Sequence, residues 1–454
     1  MARAIDQRET EGRGSLYRML WRWHFYAGLI CIPFVIWLAV TGSIYLFRPQ
    51  IDAWIDRDVA VLQRTGEAAS QTDLVTAATA AVPGSTFAGL MLPEQPDQAA
   101  RVLVSDRGVR TRVYLHPDSG EVLKTVEEGS TWDRWVFKLH GELMLGNAGS
   151  LIVELAASWA IVMILTGLYL WWPRNAKGLG GVLYPRLGQG AKRFWRDLHA
   201  VVGIWVSAFA LFLLASGMPW ALVWGNGFKM VREATGNAPI TQDWSIGPTD
   251  EHAEHFAHDM TVVDHSAHGG ATLDQVFISA QAQGLVAPVI LTPPSKASPY
   301  WWAKSNSPNR PQQQNVAFDP MTGAAVSREV FEKKHIIDQI VGVMIAAHEG
   351  QLFAPLNQVL GVLTALGLVT LCVSAFVMWR RRAPAGVLGA PPPIPDARLG
   401  KGLAVIIVAA GVLLPVLGAS LLLLAIIERG LLQRWPAARR WLGLRTGAPE
   451  PGTR

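Results

Sequence analysis

Four of the eleven histidines stand at matched places in two halves of the chain, and a neutral imidazole is a good ligand for haem iron or zinc. His24 precedes Thr41-Gly42 by 17 residues, and His199 precedes Ser216-Gly217 by the same 17. His140 lies 26 residues before Thr166 and 31 before Trp171, while His348 lies 26 before Ser374 and 31 before Trp379. Gly28 and Gly203 each follow a histidine by four residues, one helical turn on, where the missing side chain leaves room for a flat ring. One histidine near a membrane boundary is an ordinary amphipathic residue. Four in register across a repeat point to a shared task. Pairing His24 with His199 and His140 with His348, each pair at one depth, suits axial ligation of two b-type haems. Zinc binding and a proton relay are the alternatives. Two imidazoles per iron leave no open position for oxygen, so the chemistry expected is electron transfer.

The elements that must hold these rings are membrane spans. Of 454 residues, 50% are hydrophobic, only 17% are charged and 19 are Trp, which excludes both an ordinary soluble enzyme and a disordered chain. Apolar runs cover about 25–47, 150–172, 200–224 and 356–379, each close to the ~20 residues that cross a hydrocarbon core. The first is too long for a cleaved signal and reads as an anchor. A fifth run, 403–427, contains Pro415 and Gly418, which fit either a crossing or a re-entrant hairpin.

Arg3, Arg8, Arg13, Arg18 and Arg22 precede the first span. Arg174, Lys177, Arg186, Lys192, Arg193 and Arg196 separate the second and third, and Arg380, Arg381 and Arg382 follow the fourth. The excess of basic residues places all three groups in the cytoplasm and the two long polar segments in the periplasm of a bacterial inner membrane. The expected order is a cytoplasmic N-terminus (1–20), span one (21–47), a first periplasmic domain (48–139), the His140 motif with span two (140–172) and a cytoplasmic loop (173–198). Span three (199–224), a second periplasmic domain (225–347), the His348 motif with span four (348–379), a cytoplasmic loop (380–401), span five or a hairpin (402–427) and a basic tail (428–454) complete it. The class is an α-helical membrane protein with an internally duplicated four-helix core, a fifth C-terminal hydrophobic helix and two small α+β domains. Gly146 to Gly149 and Pro355 are expected to break the helix between His140 or His348 and its span.

The duplication extends to the polar segments. Val113-Tyr114-Leu115-His116-Pro117-Asp118-Ser119-Gly120 matches Val316-Ala317-Phe318-Asp319-Pro320-Met321-Thr322-Gly323, in each case a strand entering a turn, with His116 structural. The second segment alone carries a His-rich stretch at 250–270, where His252, His255, His258, His265 and His268 form a candidate secondary metal site or a solvated insertion. Tyr300, Trp301 and Trp302 are either core residues or a platform for a bulky chelate, and Trp171, Trp172 and Trp379 read as interface anchors. Cys31 and Cys372 sit in apolar runs and offer neither a disulfide framework nor a covalent haem attachment. The net charge of +5 gives no reason to expect a nucleic-acid partner. The expected partners are membrane lipid and a redox substrate.

Trp21-Arg22-Trp23-His24 followed by a span ending in Val40-Thr41-Gly42, the Leu139-His140-Gly141 motif and the Asp319-Pro320-Met321-Thr322-Gly323 turn together resemble the PepSY-associated transmembrane family, iron-regulated inner-membrane proteins. The resemblance covers about residues 15–430. It implies PepSY-like periplasmic domains, two haem b held by His24, His199, His140 and His348, and reduction of a periplasmic ferric siderophore with release of Fe(II). His116 stands where the family's turn is usually acidic. No Gly-x-Gly-x-x-Gly follows a strand, so electrons are expected from a quinol or a separate cytoplasmic reductase. A siderophore or peptide permease and a non-enzymatic sensor or protease-regulating protein are the competing readings.

Overall fold

The computed structural model describes residues 2–173, 178–236, 270–296, 298–393 and 400–444, with side chains from residue 15 onward. The helices in chain order are α1 (Ala2–Leu46), α2 (Arg48–Ile55), α3 (Gln71–Ala81), α4 (Trp132–Glu142), α5 (Asn147–Trp171), α6 (Ala191–Gly217) and α7 (Leu222–Ala234). They continue as α8 (Leu273–Gln281), α9 (Ile336–His348), α10 (Leu356–Arg382), α11 (Lys401–Leu413), α12 (Pro415–Gly430) and α13 (Pro436–Leu442). Strands β1 (Thr86–Leu92), β2 (Ala100–Asp106), β3 (Val109–Leu115) and β4 (Val122–Glu127) fall in the first polar segment. Strands β5 (Val289–Thr292), β6 (Trp301–Ser305), β7 (Gln314–Phe318) and β8 (Ala325–Val330) fall in the second. Two compact units result, a helical one (1–43, 140–231 and 362–454) and one built on a sheet (44–139 and 232–361).

Five helical stretches are long and apolar enough to cross a bilayer: Ser15–Leu46, Asn147–Trp171, Ala191–Trp220, Leu356–Arg382 and Pro415–Arg434. The protein is therefore membrane-spanning. The fifth stretch is one arm of a hairpin. Leu414, at φ −121° and ψ 83°, ends α11 directly before Pro415 starts α12. A Cβ added to Gly418 would lie 2.5 Å from the Gly411 carbonyl oxygen, whereas residues seven apart in a straight helix are separated by ~10 Å. The tip of the hairpin buries Leu414 and Leu417 against Met218, beyond the end of α6, and Trp159 Nε1 donates to Ser420 Oγ at 3.1 Å. From there α12 leads back to α13, which is tied to α1 at Arg22 and Tyr26. Tyr26 donates to the Leu442 carbonyl at 2.5 Å, and Arg22 donates to the carbonyls of Gly443 and Pro391. The hairpin reading, and not the single crossing, describes this region.

The two polar segments, expected as separate domains, build one sheet of eight antiparallel strands in the order β4-β3-β2-β1-β5-β6-β7-β8. The join has a simple physical cause, since β1 and β5 would each be an open edge and pairing them satisfies both. Leu90 lies opposite Leu291 at that join. Outward from it, Leu90 pairs with Val102 and Val102 with Val113, just as Leu291 pairs with Ala303 and Ala303 with Val316. Helices α3 and α8 fill one face, burying Leu74, Ala78, Val276 and Phe277 with the inward residues of the strands in a common core. Each fully buried leucine there contributes about 1.5–3 kcal/mol. Trp301 packs against this core, and Trp302 Nε1 donates to Ser298 Oγ at 2.9 Å.

The turns after β3 and β7 are closed by different chemistry doing one job. Asp319 Oδ1 accepts from the N–H groups of Met321 and Thr322 at 2.8 and 2.9 Å. At the matching place His116 Nδ1 accepts from Asp118 and Ser119 at 3.3 and 3.4 Å, and its Nε2–H donates to the Gln63 carbonyl. The imidazole replaces a carboxylate as the turn's acceptor, so His116 is structural. Beside it the Arg64 guanidinium and the N–H groups of Thr65 and Gly66 hold the Asp118 carboxyl down at about 2.

With the hairpin returning α13 to Arg22 and Tyr26 of α1, reporters fused before residue 1 and after residue 454 should read the same compartment. Accessibility labelling on opposite sides would contradict the hairpin.

Candidate functional site

In the helical unit α1 and α6 bring His24 and His199 together. Their ring centroids are 6.3 Å apart with planes at 82°. Each ring is fixed from a different neighbouring helix. His24 Nδ1 lies 3.0 Å from the Met163 carbonyl oxygen and 3.2 Å from Thr166 Oγ1, both on α5. His199 Nδ1 lies 3.2 Å from the Leu371 carbonyl oxygen and 3.1 Å from Ser374 Oγ, both on α10. A carbonyl can only accept, so Nδ1 carries the proton in both rings and Nε2 keeps its lone pair. The hydroxyls agree, because Thr166 sends its own proton to the Val162 or Met163 carbonyl and Ser374 to that of Leu371.

His140 obeys the same rule from another element. It sits near the end of α4, whose chain breaks before α5: Leu143, Met144 and Gly146 all have positive φ, and a Cβ on Gly149 would overlap the Glu142 carbonyl. The expected helix break is present. His140 Nδ1 is 2.9 Å from Thr41 Oγ1 on α1, and Thr41 donates to the Trp37 carbonyl, so Nδ1 is again the donor. Burial pushes this imidazole down to about 4, which keeps it neutral at physiological pH. His348 is the last residue of α9 and belongs to the sheet unit, with a break before α10. His252, His255, His258, His265 and His268 lie outside the described residues.

Two imidazoles at this separation match one shared metal. A first-row metal bonded at ~2 Å to one nitrogen of each ring, with the rings on opposite sides of it, would hold the centroids about 6 Å apart. Among the described residues no three of His, Cys, Asp and Glu come together, and a pair of imidazoles is a donor set that an axially ligated haem would accept. Residues 21–382 match the PepSY-associated TM region. The chain belongs to that family. A search of curated proteins returns no significant match.

The family match ends at Arg382, so the α11–α12 hairpin and the tail lie beyond it. Within the matched region the Thr-Gly pairs acquire a meaning that spacing alone did not convey. Thr41 and Thr166 hold a ring by Nδ1, and the glycine that follows makes room for the same ring. A Cβ on Gly42 would come 3.2 Å from His140 Cε1, and one on Gly167 would come 3.0 Å from His24 Cε1. Gly167 is the residue missed in the sequence, although its position one after Thr166 matches Gly42 after Thr41. A Cβ on Gly28 or Gly203 would make ordinary contact with Met163 Sδ at 3.6 Å or Leu371 Cδ2 at 3.7 Å, so these glycines sit beside the residues that hold the two imidazoles.

Three further anchors order the helices around the pair. Asp197, two residues before His199, is buried and accepts a fork from Arg186 at 2.7 and 3.0 Å. Trp171 Nε1 donates to the Val182 carbonyl and Trp379 Nε1 to that of Leu388, so both tryptophans tie down the loop that follows their helix.

Replacing Gly167 by Val should drive the His24 ring from its place and cost about 1–3 kcal/mol as an overpacked core does. Gly141→Ala, where nothing lies within 4 Å, should leave stability unchanged or raise it by about 0.5–1 kcal/mol. Thermal melts of the two variants beside the parent test this contrast.

Proposed function

We propose that the protein is a di-haem b oxidoreductase of the bacterial inner membrane that carries electrons outward to a ferric siderophore and releases Fe(II). The observation that carries this reading is the His24–His199 pair, with rings 6.3 Å apart, each Nδ1–H spent on a main-chain carbonyl and each Nε2 left basic. His140, held in the same tautomer by Thr41, would form the second pair with His348. Haem bound between such imidazoles supplies one-electron Fe(III)/Fe(II) exchange.

The chain's own residues have definable tasks in this scheme. The carbonyls of Met163 and Leu371 orient His24 and His199 and raise their basicity as ligands. Thr166, Ser374 and Thr41 fix the rotation of their rings, and Gly42 and Gly167 keep the approach open. The duplicated core is part of the proposal, and so is the assignment of the sheet to two fused PepSY-like domains in the periplasm. The basic residues flanking the spans support that orientation. Siderophores hold Fe(III) through hard oxygen donors and Fe(II) far more weakly, so one electron to the substrate iron suffices for release. A quinol or a cytoplasmic reductase would supply it.

The visible spectrum of the purified protein tests the proposal. A low-spin b-type Soret band that sharpens on dithionite reduction is expected, with two haems per chain by pyridine haemochrome. A folded but colourless preparation obtained with haem supplied would refute it. His24→Ala or His199→Ala should each remove about half of the haem, and so should His140→Ala or His348→Ala. The double variant His24→Ala/His199→Ala should lose no more than either single one.

A further inference from the structure

Arg382, an exposed residue, closes α10, the helix whose Leu371 and Ser374 hold His199, and its guanidinium lies over two aromatic rings of α1. Its Cζ lies 5.3 Å from the Trp21 ring and 5.3 Å from the Phe25 ring, residues that bracket His24 in sequence. Trp21 and Phe25 are one turn apart on one helical face, so together they favour one placement of a side chain that otherwise has many rotamers. Cation–π contact lowers the cost of holding the charge there but does not neutralise it. Among the described residues no carboxylate lies within 4 Å of this guanidinium. Arg22, two residues before His24, is in the opposite condition, with its nitrogens given to the carbonyls of Pro391 and Gly443 and to the Tyr26 hydroxyl. Arg382 is therefore an arginine seated over two rings whose fork has no carboxylate partner among the described residues and can meet a planar anion.

We propose that Arg382 binds a propionate carboxylate of the tetrapyrrole held by His24 and His199. The inference rests on the haem reading and adds to it a specific ion pair with the cofactor's periphery. A guanidinium and a carboxylate match in planar, bidentate geometry, and an apolar macrocycle between helices needs a cation near the membrane boundary to receive its acidic groups. An anionic lipid phosphate is the other occupant such an arginine could take, since basic residues at the ends of spans commonly meet headgroups.

The test uses the full-length chain expressed without haem supply, placed in phosphatidylcholine nanodiscs, and titrated with haem b or with its dimethyl ester, which lacks both carboxylates. His140→Ala is introduced throughout so that the titration reads the His24–His199 site. With Arg382 present, free-acid haem should bind roughly tenfold or more tightly than the ester, as loss of one charge-assisted pair would give. Arg382→Gln should bring that preference close to unity while keeping the low-spin Soret band, and Arg382→Lys should restore part of it. Arg381→Gln, on the same helix end, should leave it intact. An unchanged preference in Arg382→Gln overturns the proposal. So does a preference that disappears for the parent when phosphatidylglycerol is added, because lipid phosphate is then the natural occupant. If no form takes up haem, the cofactor reading itself fails and this one falls with it, an outcome distinct from binding without discrimination.

Discussion

A neutral imidazole has two nitrogens, and in this protein the backbone claims only one of them. His24 and His199 each give Nδ1–H to a helix carbonyl, and His140 gives its own to a hydroxyl already committed as a donor. The remaining nitrogen is basic in all three. This constraint is costly to arrange, because a carbonyl inside a helix already accepts from the N–H four residues on and must use its second lone pair for the ring. It also works only if the second helix is packed at fixed height and rotation against the first. The spans are therefore positioned relative to each other by hydrogen bonds that also set the tautomer, and loss of packing and loss of ligand character would occur together.

Other polar groups inside the helical unit follow the same economy. Glu154, almost fully buried on α5, accepts from the N–H groups of Val223 and Trp224 at 2.8 and 3.0 Å and so caps the start of α7. Its two oxygens meet the N–H end of that helix, where the helix dipole favours a carboxyl group. Asp197 meets Arg186 and Arg196 near the start of α6. In the sheet unit the guanidinium of Arg232, 2% exposed, forks onto Asp338 at the start of the helix that ends in His348. Asp197 and Arg232 thereby order the helices that carry His199 and His348.

The sheet shows how a repeated sequence becomes one body. Each polar segment supplies four strands and one helix, too little to bury a core on both sides of its own edge strand. Pairing β1 with β5 through Leu90 and Leu291 removes two open edges and lets α3 and α8 share a single core. Asp274 of α8 reaches across to accept from the Gln71 N–H of α3 at 2.6 Å, adding a contact from the other segment to the cap that Ser70 already supplies.

Much of this was legible in the residues. The first four apolar runs were legible as membrane-length helices because length and hydropathy alone decide what a bilayer accepts, whereas the fifth run read equally as a crossing or a hairpin. The matched spacings of His24, His140, His199 and His348 marked the candidate site, and they also singled out Thr41, Thr166 and Ser374, though as markers of a repeat and not as partners of the rings. Three-dimensional structure alone could settle which atoms meet. The Thr-Gly pairs lie 99 and 142 residues from the histidines they hold, and contact at that separation depends on helix height and rotation, which periodicity does not encode. The same holds for the joined sheet, the hairpin at Leu414 and the cationic side chain of Arg382 between two rings. Sequence specifies each element and its exposed surface, whereas pairing of edges and facing of helices are set by the energy of the assembled whole.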